Sequence, residues 1–331
     1  MIRPPVPNRN DPLGSRRPGD LLSLVKASAP GKIILFGEHA VVYNRPALAV
    51  PVNQVQVEVE VSDSSQPGIW IHAPVIDLHA ELSTLPSDHP IGSVILRGFQ
   101  LCGISPLPDI SLTINSTIPV ASGLGSGAAV SVAVIRALSN FISHPLSNEQ
   151  INDLVYESEK LHHGTPSGID NTVITYNMPV FYLKSKPIET FKVGKPFTIV
   201  IGDTGIPAPT KESVGDVRRL WQRDTNRMET LFNEIAQIST MARHFIESGR
   251  PELLGELMDH NHQFLQQMTV SSPELDALVL AARKAGALGA KLSGGGRGGN
   301  MIALVDQESA ESVAEALESA GAKRTIITQI Q

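Results

Sequence analysis

Between residues 55 and 61 the chain alternates without a break: Val55, Val57, Val59 and Val61 are separated by Gln56, Glu58 and Glu60. A period of two with one polar face predicts a strand in an antiparallel sheet that is wet on one side. Ile110, Leu112 and Ile114 repeat the pattern in "DISLTIN", and "KIILFGEHAVV" at 32–42 reads as a further strand, with ordered chain beginning near Ser28. After residue 126 the pattern changes. "AAVSVAVIRALSNFI" contains neither Gly nor Pro and is apolar nearly all round, which predicts a buried helix starting close to Ser126. A second helix is predicted from Ser147, where Ser147 and Gln150 make a capping-box pair; it runs through "INDLVYESEKLHH" and stops by Gly164-Thr165-Pro166.

Further on, "PVFYLK" and "FTIVIGDTG" read as strands, followed by a helical region over about 210–268 that breaks at "ESGRPE". Then come a helix in "SPELDALVLAARKAG", strands "AKLS" and "NMIALV" around "GGGRGG", a helix from about 307 and a closing strand "RTIITQI". Strand, helices, two strands, helix, strand is the order of a ferredoxin-like split β-α-β unit. The expectation is an α+β chain with a tail at 1–25, an N-terminal domain at 26–200 and a C-terminal domain at 201–331. A length of 331 residues accommodates two domains of roughly 150. The tail is rich in Pro and Arg and lacks the apolar core of a secretory signal, so it reads as flexible; Arg3, Arg9, Arg16 and Arg17 leave a transit peptide as the alternative.

Composition narrows the function. Hydrophobic residues make up 41% and charged residues 18%, and the net charge is −6. That balance argues against a general nucleic-acid or anionic-membrane surface, while leaving room for one positive pocket. The apolar runs fall short of the roughly 20 residues that span a bilayer. Cys102 is the only cysteine, which excludes an intrachain disulfide and a cysteine zinc cluster and fits a reducing cytoplasm. A small-molecule substrate, with neither nucleic acid nor membrane as partner, is expected.

The candidate chemistry sits in glycine-rich loops. "SGLGSG", Ser122 to Gly127, joins a predicted strand to a predicted helix. Glycines there let backbone amides face an anion, and a helix N-terminus adds partial positive charge. A Walker A loop would need a lysine, and none occurs between Lys32 and Lys160; the G-x-G-x-G spacing also departs from the dinucleotide fingerprint. A tight turn that lets a helix pack closely is the plainer alternative. Lys32 follows Gly31 at a strand start and can reach into a cleft, or it is a solvated strand end. Glu38 and His39 follow another glycine, and a satisfied core histidine is the alternative there. Glu159, near a helix end where an acid opposes the macrodipole, and Asp170, after a Pro-Ser-Gly turn, are carboxylates able to hold Mg²⁺ or accept a hydroxyl proton. Their alternatives are a surface acid and a turn residue. The run Gly294 to Gly299, interrupted by Arg297, suits close backbone approach to a ligand or a mobile hairpin tip.

"APGKIILFGEHAVVYNRPALAV", "PVASGLGSGAAVSV" and "KLSGGGRGGNMIAL", in that order, resemble the three sequence blocks of the GHMP kinases over about residues 28–330. "GEHAVVYNRPALAV" with "HGTPSGIDNTV" resembles the branch of that family that acts on mevalonate. The resemblance implies an S5-like N-terminal domain, a ferredoxin-like C-terminal domain, and ATP-dependent phosphorylation of the C5 hydroxyl of (R)-mevalonate with Mg²⁺. It makes Ser122, Gly123, Leu124, Gly125, Ser126 and Gly127 the phosphate loop. It makes Lys32 the cation at the transferring phosphate and Asp170 the acid facing the substrate hydroxyl. Glu159 falls at a magnesium ligand, with Ser126 beside it; Glu38, His39, Thr210, Gly295 and Gly296 fall on the substrate side. A homodimer is the family's frequent state.

Two positions depart from the family pattern. Gly127 stands where a second hydroxyl commonly binds magnesium, so that Ser126 or a water takes the place. Ala208 stands where relatives carry a basic residue, which leaves Lys211 and Arg297 as candidates for the substrate carboxylate. The rival readings are a sibling activity (phosphomevalonate kinase or mevalonate 3-kinase), a non-catalytic nucleotide-binding regulator, and, more distantly, a dinucleotide-dependent oxidoreductase.

Overall fold

The computed structural model describes residues 24–331 apart from 120, 121, 164–166, 185, 188 and 209, and it leaves the side chains of 161–163 undescribed. Residues 1–23 of the expected tail and the turn at 164–166 therefore lie outside the described residues. In chain order the elements are β1 (Val25–Phe36), β2 (Ala47–Asp63), β3 (Ile69–Ala73), β4 (Leu78–Glu81), α1 (Pro90–Leu101), β5 (Ile110–Ser116), α2 (Ser126–Phe141), α3 (Asn148–His163) and α4 (Ile169–Tyr176). There follow β6 (Val180–Tyr182), β7 (Glu189–Thr190), β8 (Phe197–Asp203), α5 (Thr210–Arg223), α6 (Thr225–Glu247), α7 (Leu254–Gln267), α8 (Pro273–Lys284), β9 (Gly289–Ser293), β10 (Asn300–Val305), α9 (Ala310–Ser319) and β11 (Arg324–Ile330).

The described chain forms two compact units. Among the described residues, one comprises 24–28, 58–115 and 130–162; the other comprises 29–57, 116–129 and 163–331. In the first, β3 pairs antiparallel with β4 and parallel with β5. The inward residues of the alternating strands, among them Val59, Val61, Ile71 and Leu112, are buried as the period-two pattern predicts. Gly98 of α1 has no room for a side chain, because a Cβ there would stand 2.8 Å from Ile135 Cδ1 on α2. The capping box at the head of α3 is formed: the Ser147 amide donates to Gln150 Oε1 at 2.9 Å and the Gln150 amide to Ser147 Oγ at 3.2 Å.

In the second unit β1 pairs β2, the start of β2 pairs β6, and β6 pairs β7. The sheet that ends the chain has the order β11-β8-β10-β9, antiparallel throughout. Numbered from β8, that is 4-1-3-2, the ferredoxin-like arrangement expected from the element order. Its helices bury one face over a core that includes Phe232, Leu265, Leu275, Met301 and Leu317.

Two local expectations need correction. The strand expected over 32–42 ends at Phe36, because Gly37 turns the chain at φ +98°, where a Cβ would lie 2.4 Å from Ala47 Cα; Ala40–Tyr43 is then a 3-10 turn. The helical region after 210 breaks at Asp224 as well as at "ESGRPE", since the Asp224 carboxylate caps α6 by accepting from the Arg227 amide at 3.1 Å. Asp170 follows its turn as expected: Gly168, at φ +88°, starts α4, and Asp170 lies in its first turn. The expected domain boundary near residue 200 falls inside β8.

Candidate active site

The glycine loop and the start of α2 form the first wall. Leu124 is buried and anchors the loop, while Gly123 and Gly127 are exposed beside the half-buried Gly125 and Ser126. Gly123 and Gly125 have φ of +78° and +77°, a region L side chains avoid. Gly125 is doubly constrained, because a Cβ there would lie 2.8 Å from Ile174 Cδ1 and 3.0 Å from Lys32 Cγ. Ser122 Oγ donates to the Pro119 carbonyl at 2.8 Å, and Asn300 Nδ2 donates to the Ser122 carbonyl. The first turn of α2 carries no acid. The positive end of that helix therefore favours an anion.

Lys32 joins this wall through both main chain and side chain. Its amide donates to the Leu124 carbonyl at 2.9 Å, and its stem passes under Gly125. The buried ammonium lies 3.0 Å from Asp170 Oδ1, whose side chain is 38% exposed. A carboxylate in the first turn of α4 suits the positive end of that helix. The positive charge that the loop itself lacks thus stands directly behind it, paired with an acid that still reaches solvent.

The substrate-side residues gather at the third glycine loop. His39 Nε2 lies 3.1 Å from the Gly295 carbonyl, so this nitrogen carries the proton and Nδ1 is bare. Burial holds the His39 imidazole down to about 4, against the bond to Gly295 and with help from the Arg297 charge; it is neutral at physiological pH. Lys291 Nζ donates to Glu38 Oε1, and both side chains are fully buried. Burial raises the Glu38 carboxyl and lowers the Lys291 ammonium, and each charge opposes the shift of the other. Thr210, the first residue of α5, stands against the loop: a Cβ on Gly295 would meet Thr210 Oγ1 at 2.7 Å. Gly296, at φ +74°, lies against the Val270 carbonyl, where a Cβ would come within 1.9 Å.

The structure thus brings Lys32, Asp170 and Ser122–Gly127 together, and separately joins Glu38, His39, Thr210, Gly295 and Gly296. Of the two candidate cations for a substrate carboxylate, Arg297 is committed: its guanidinium donates to Asp216 and to the Thr269 carbonyl. Lys211 is exposed on α5. Glu159 belongs to the first unit, on α3, where it is partly buried. Sequence reasoning missed Lys291 and Asn300. The signal for Lys291 was present as a lysine inside the short strand "GAKLS", where Ala290 and Leu292 occupy the other face and are equally buried.

Comparison with known proteins identifies the family. The family model for the GHMP kinases N terminal domain matches residues 92–177, and that for the GHMP kinases C terminal matches 242–323. A mevalonate kinase of Thermococcus gammatolerans is 36% identical over 327 residues, covering 92% of this chain and 96% of its own. One from Pyrococcus abyssi is 37% identical over 315 residues, covering 90% and 93%. The crystal structure of L. major mevalonate kinase in complex with R-mevalonate superposes with a TM-score of 0.82 at 28% identity, covering 95% of this chain and 98% of that one. The chain belongs to the GHMP kinase family, in its mevalonate kinase branch.

Proposed function

We propose that the protein transfers the γ-phosphoryl group of ATP to the C5 hydroxyl of (R)-mevalonate, giving 5-phosphomevalonate and ADP. The observation that carries the reading is the Lys32–Asp170 pair at 3.0 Å, set behind the glycine loop by the fit of Lys32 under Gly125. The loop amides and the head of α2 would bind the phosphates. Lys32 would neutralise charge that grows on the transferring oxygens, the main demand of a loose phosphoryl-transfer transition state. Asp170 would orient the C5 hydroxyl and accept its proton as the new O–P bond forms and the bond to ADP breaks. Glu38, His39, Thr210 and the amides of Gly295 and Gly296 would hold the rest of mevalonate.

The hydroxyl of Ser126 and the carboxylate of Glu159 are hard oxygen donors of the kind that suits Mg²⁺ bound jointly with phosphates. Glu159 and Ser126 would be its protein ligands. When bound, the ion would supply charge neutralisation on the β- and γ-phosphates. We further infer a homodimer and a cytoplasmic location. No helix among the described residues is long and apolar enough to cross a membrane.

The test is incubation with ATP and mevalonate across a Mg²⁺ titration, with the product identified by phosphorus and carbon NMR. Phosphate on C5, lost when the metal is chelated, is the expected result. Phosphate on C3, or turnover of phosphomevalonate in preference to mevalonate, would assign a sibling activity instead.

A further inference from the structure

Lys291 is a fully buried lysine with every donor accounted for inside the protein. Its ammonium donates to Glu38 Oε1 and to the Leu292 carbonyl at 2.6 Å, and it stands 5.9 Å from the centre of the Phe36 ring. Three donors thus meet two oxygens and an aromatic face. Fold stability does not explain such a pair. Two buried charges lose hydration, and replacing an ion pair of this kind with apolar residues of similar size is often neutral or stabilising.

The surroundings of the pair give it another role. Residues 34–39 and 291–295 are fastened at successive points: Ser293 Oγ donates to the Ile34 carbonyl at 2.8 Å, Lys291 holds Glu38, and His39 Nε2 bonds the Gly295 carbonyl. The amides of Glu38 and Gly294 favour the Glu38 charge as well, yet Glu38 Oε2 and the adjoining His39 Nδ1 have no hydrogen-bond partner. Two neighbouring buried acceptors without donors sit where the substrate-side residues converge, and Lys291 sets the position of the first.

We propose that Lys291 is a positioning residue: by holding Glu38 it fixes His39 and the third glycine loop in the arrangement that receives mevalonate. The proposal rests on the mevalonate reading above. It makes no demand on the phosphate loop, since the hydrogen bonds of the Lys291 ammonium go to Glu38, just after β1, and to Leu292 on β9.

Steady-state KM values for mevalonate and for ATP, with melting temperatures, are compared for the wild type, K291M, E38Q and the double variant K291M/E38Q. K291M is expected to raise the mevalonate KM by about tenfold or more, equivalent to about 1.4 kcal/mol, with the ATP KM within about twofold. E38Q should do the same, and the double variant should be no worse than either single change, because both act through one contact. The double variant buries no unpaired charge, so it answers the question even if K291M does not fold. A double variant whose mevalonate KM matches E38Q supports the proposal. An unchanged mevalonate KM in K291M, multiplying losses, or both KM values rising together with lost melting temperature would overturn it. A wild type that turns over mevalonate while K291M matches it overturns the positioning role alone. A wild type that leaves mevalonate untouched overturns both readings.

Discussion

Asp170 is a weak base for this task, since a carboxylate does not ionise an aliphatic alcohol in the ground state. Two facts of its setting change the task. Lys32 holds one of its oxygens at 3.0 Å, and the side chain keeps a path to solvent. The carboxylate is thereby fixed in place while the C5 hydroxyl becomes acidic only as it bonds to phosphorus, so the proton moves late. Asp170→Ala is expected to lower kcat by at least ~10²-fold, the lower end of general-base effects, with nucleotide affinity retained. Rapid-quench turnover and an ATP-analogue titration measure the two quantities; near-wild-type kcat would remove the base from the mechanism. Lys32 and Asp170 could be picked out of the sequence as candidates, Lys32 directly after Gly31 and Asp170 two positions after Gly168. Lys291 could not. Nothing local says that its partner stands 253 positions earlier.

At the scale of elements, the strand-loop-helix around Ser122–Gly127 depends on a single missing side chain. Gly125→Ala would place a methyl 2.8 Å from Ile174 and 3.0 Å from Lys32 at φ +77°. The expected cost is about 1–3 kcal/mol by overpacking and backbone strain, together with a raised ATP KM. Gly103→Ala is the control: φ is +68° there but nothing lies within 4 Å, so only the backbone cost applies. Urea melts of the two variants separate the terms, and equal stabilities would show that the close approach at Gly125 is unimportant. Period-two and near-continuous apolar patterns sufficed to find β2, β5, α2 and α3. They failed where one residue redirects the chain, as at Gly37 and Asp224. They also failed for β3, β4 and α1, whose short patterns compete with turns.

For the molecule as a whole, the order of elements was readable and the grouping of segments was not. The sequence suggested a first part and a last part divided near residue 200. In the structure, residues 29–57 belong to the same compact unit as 163–331. Tyr43 stacks on Phe232 with ring centres 4.1 Å apart, Ala40 lies in the core of the last sheet, and Arg45 pairs with Glu229. Packing between segments nearly 200 residues apart leaves no periodic trace in either. Mild trypsin is expected to cut at the exposed Lys184 and Lys192 before β8. The nicked halves should still elute as one species on native gel filtration and separate only in denaturant. Halves that part without denaturant would mean that this shared core contributes little.

The double attachment of Lys32 to the glycine loop also bears on any attempt to move this loop elsewhere. Its amide bonds Leu124 and its stem lies against Gly125, so the cation and the anion cradle are one rigid part assembled from two distant stretches. A designer who grafted residues 122–129 onto another protein would carry over the cradle and leave its charge behind. A transplantable module has to include the strand from Gly31 to Phe36, and its smallest form is a two-piece insert.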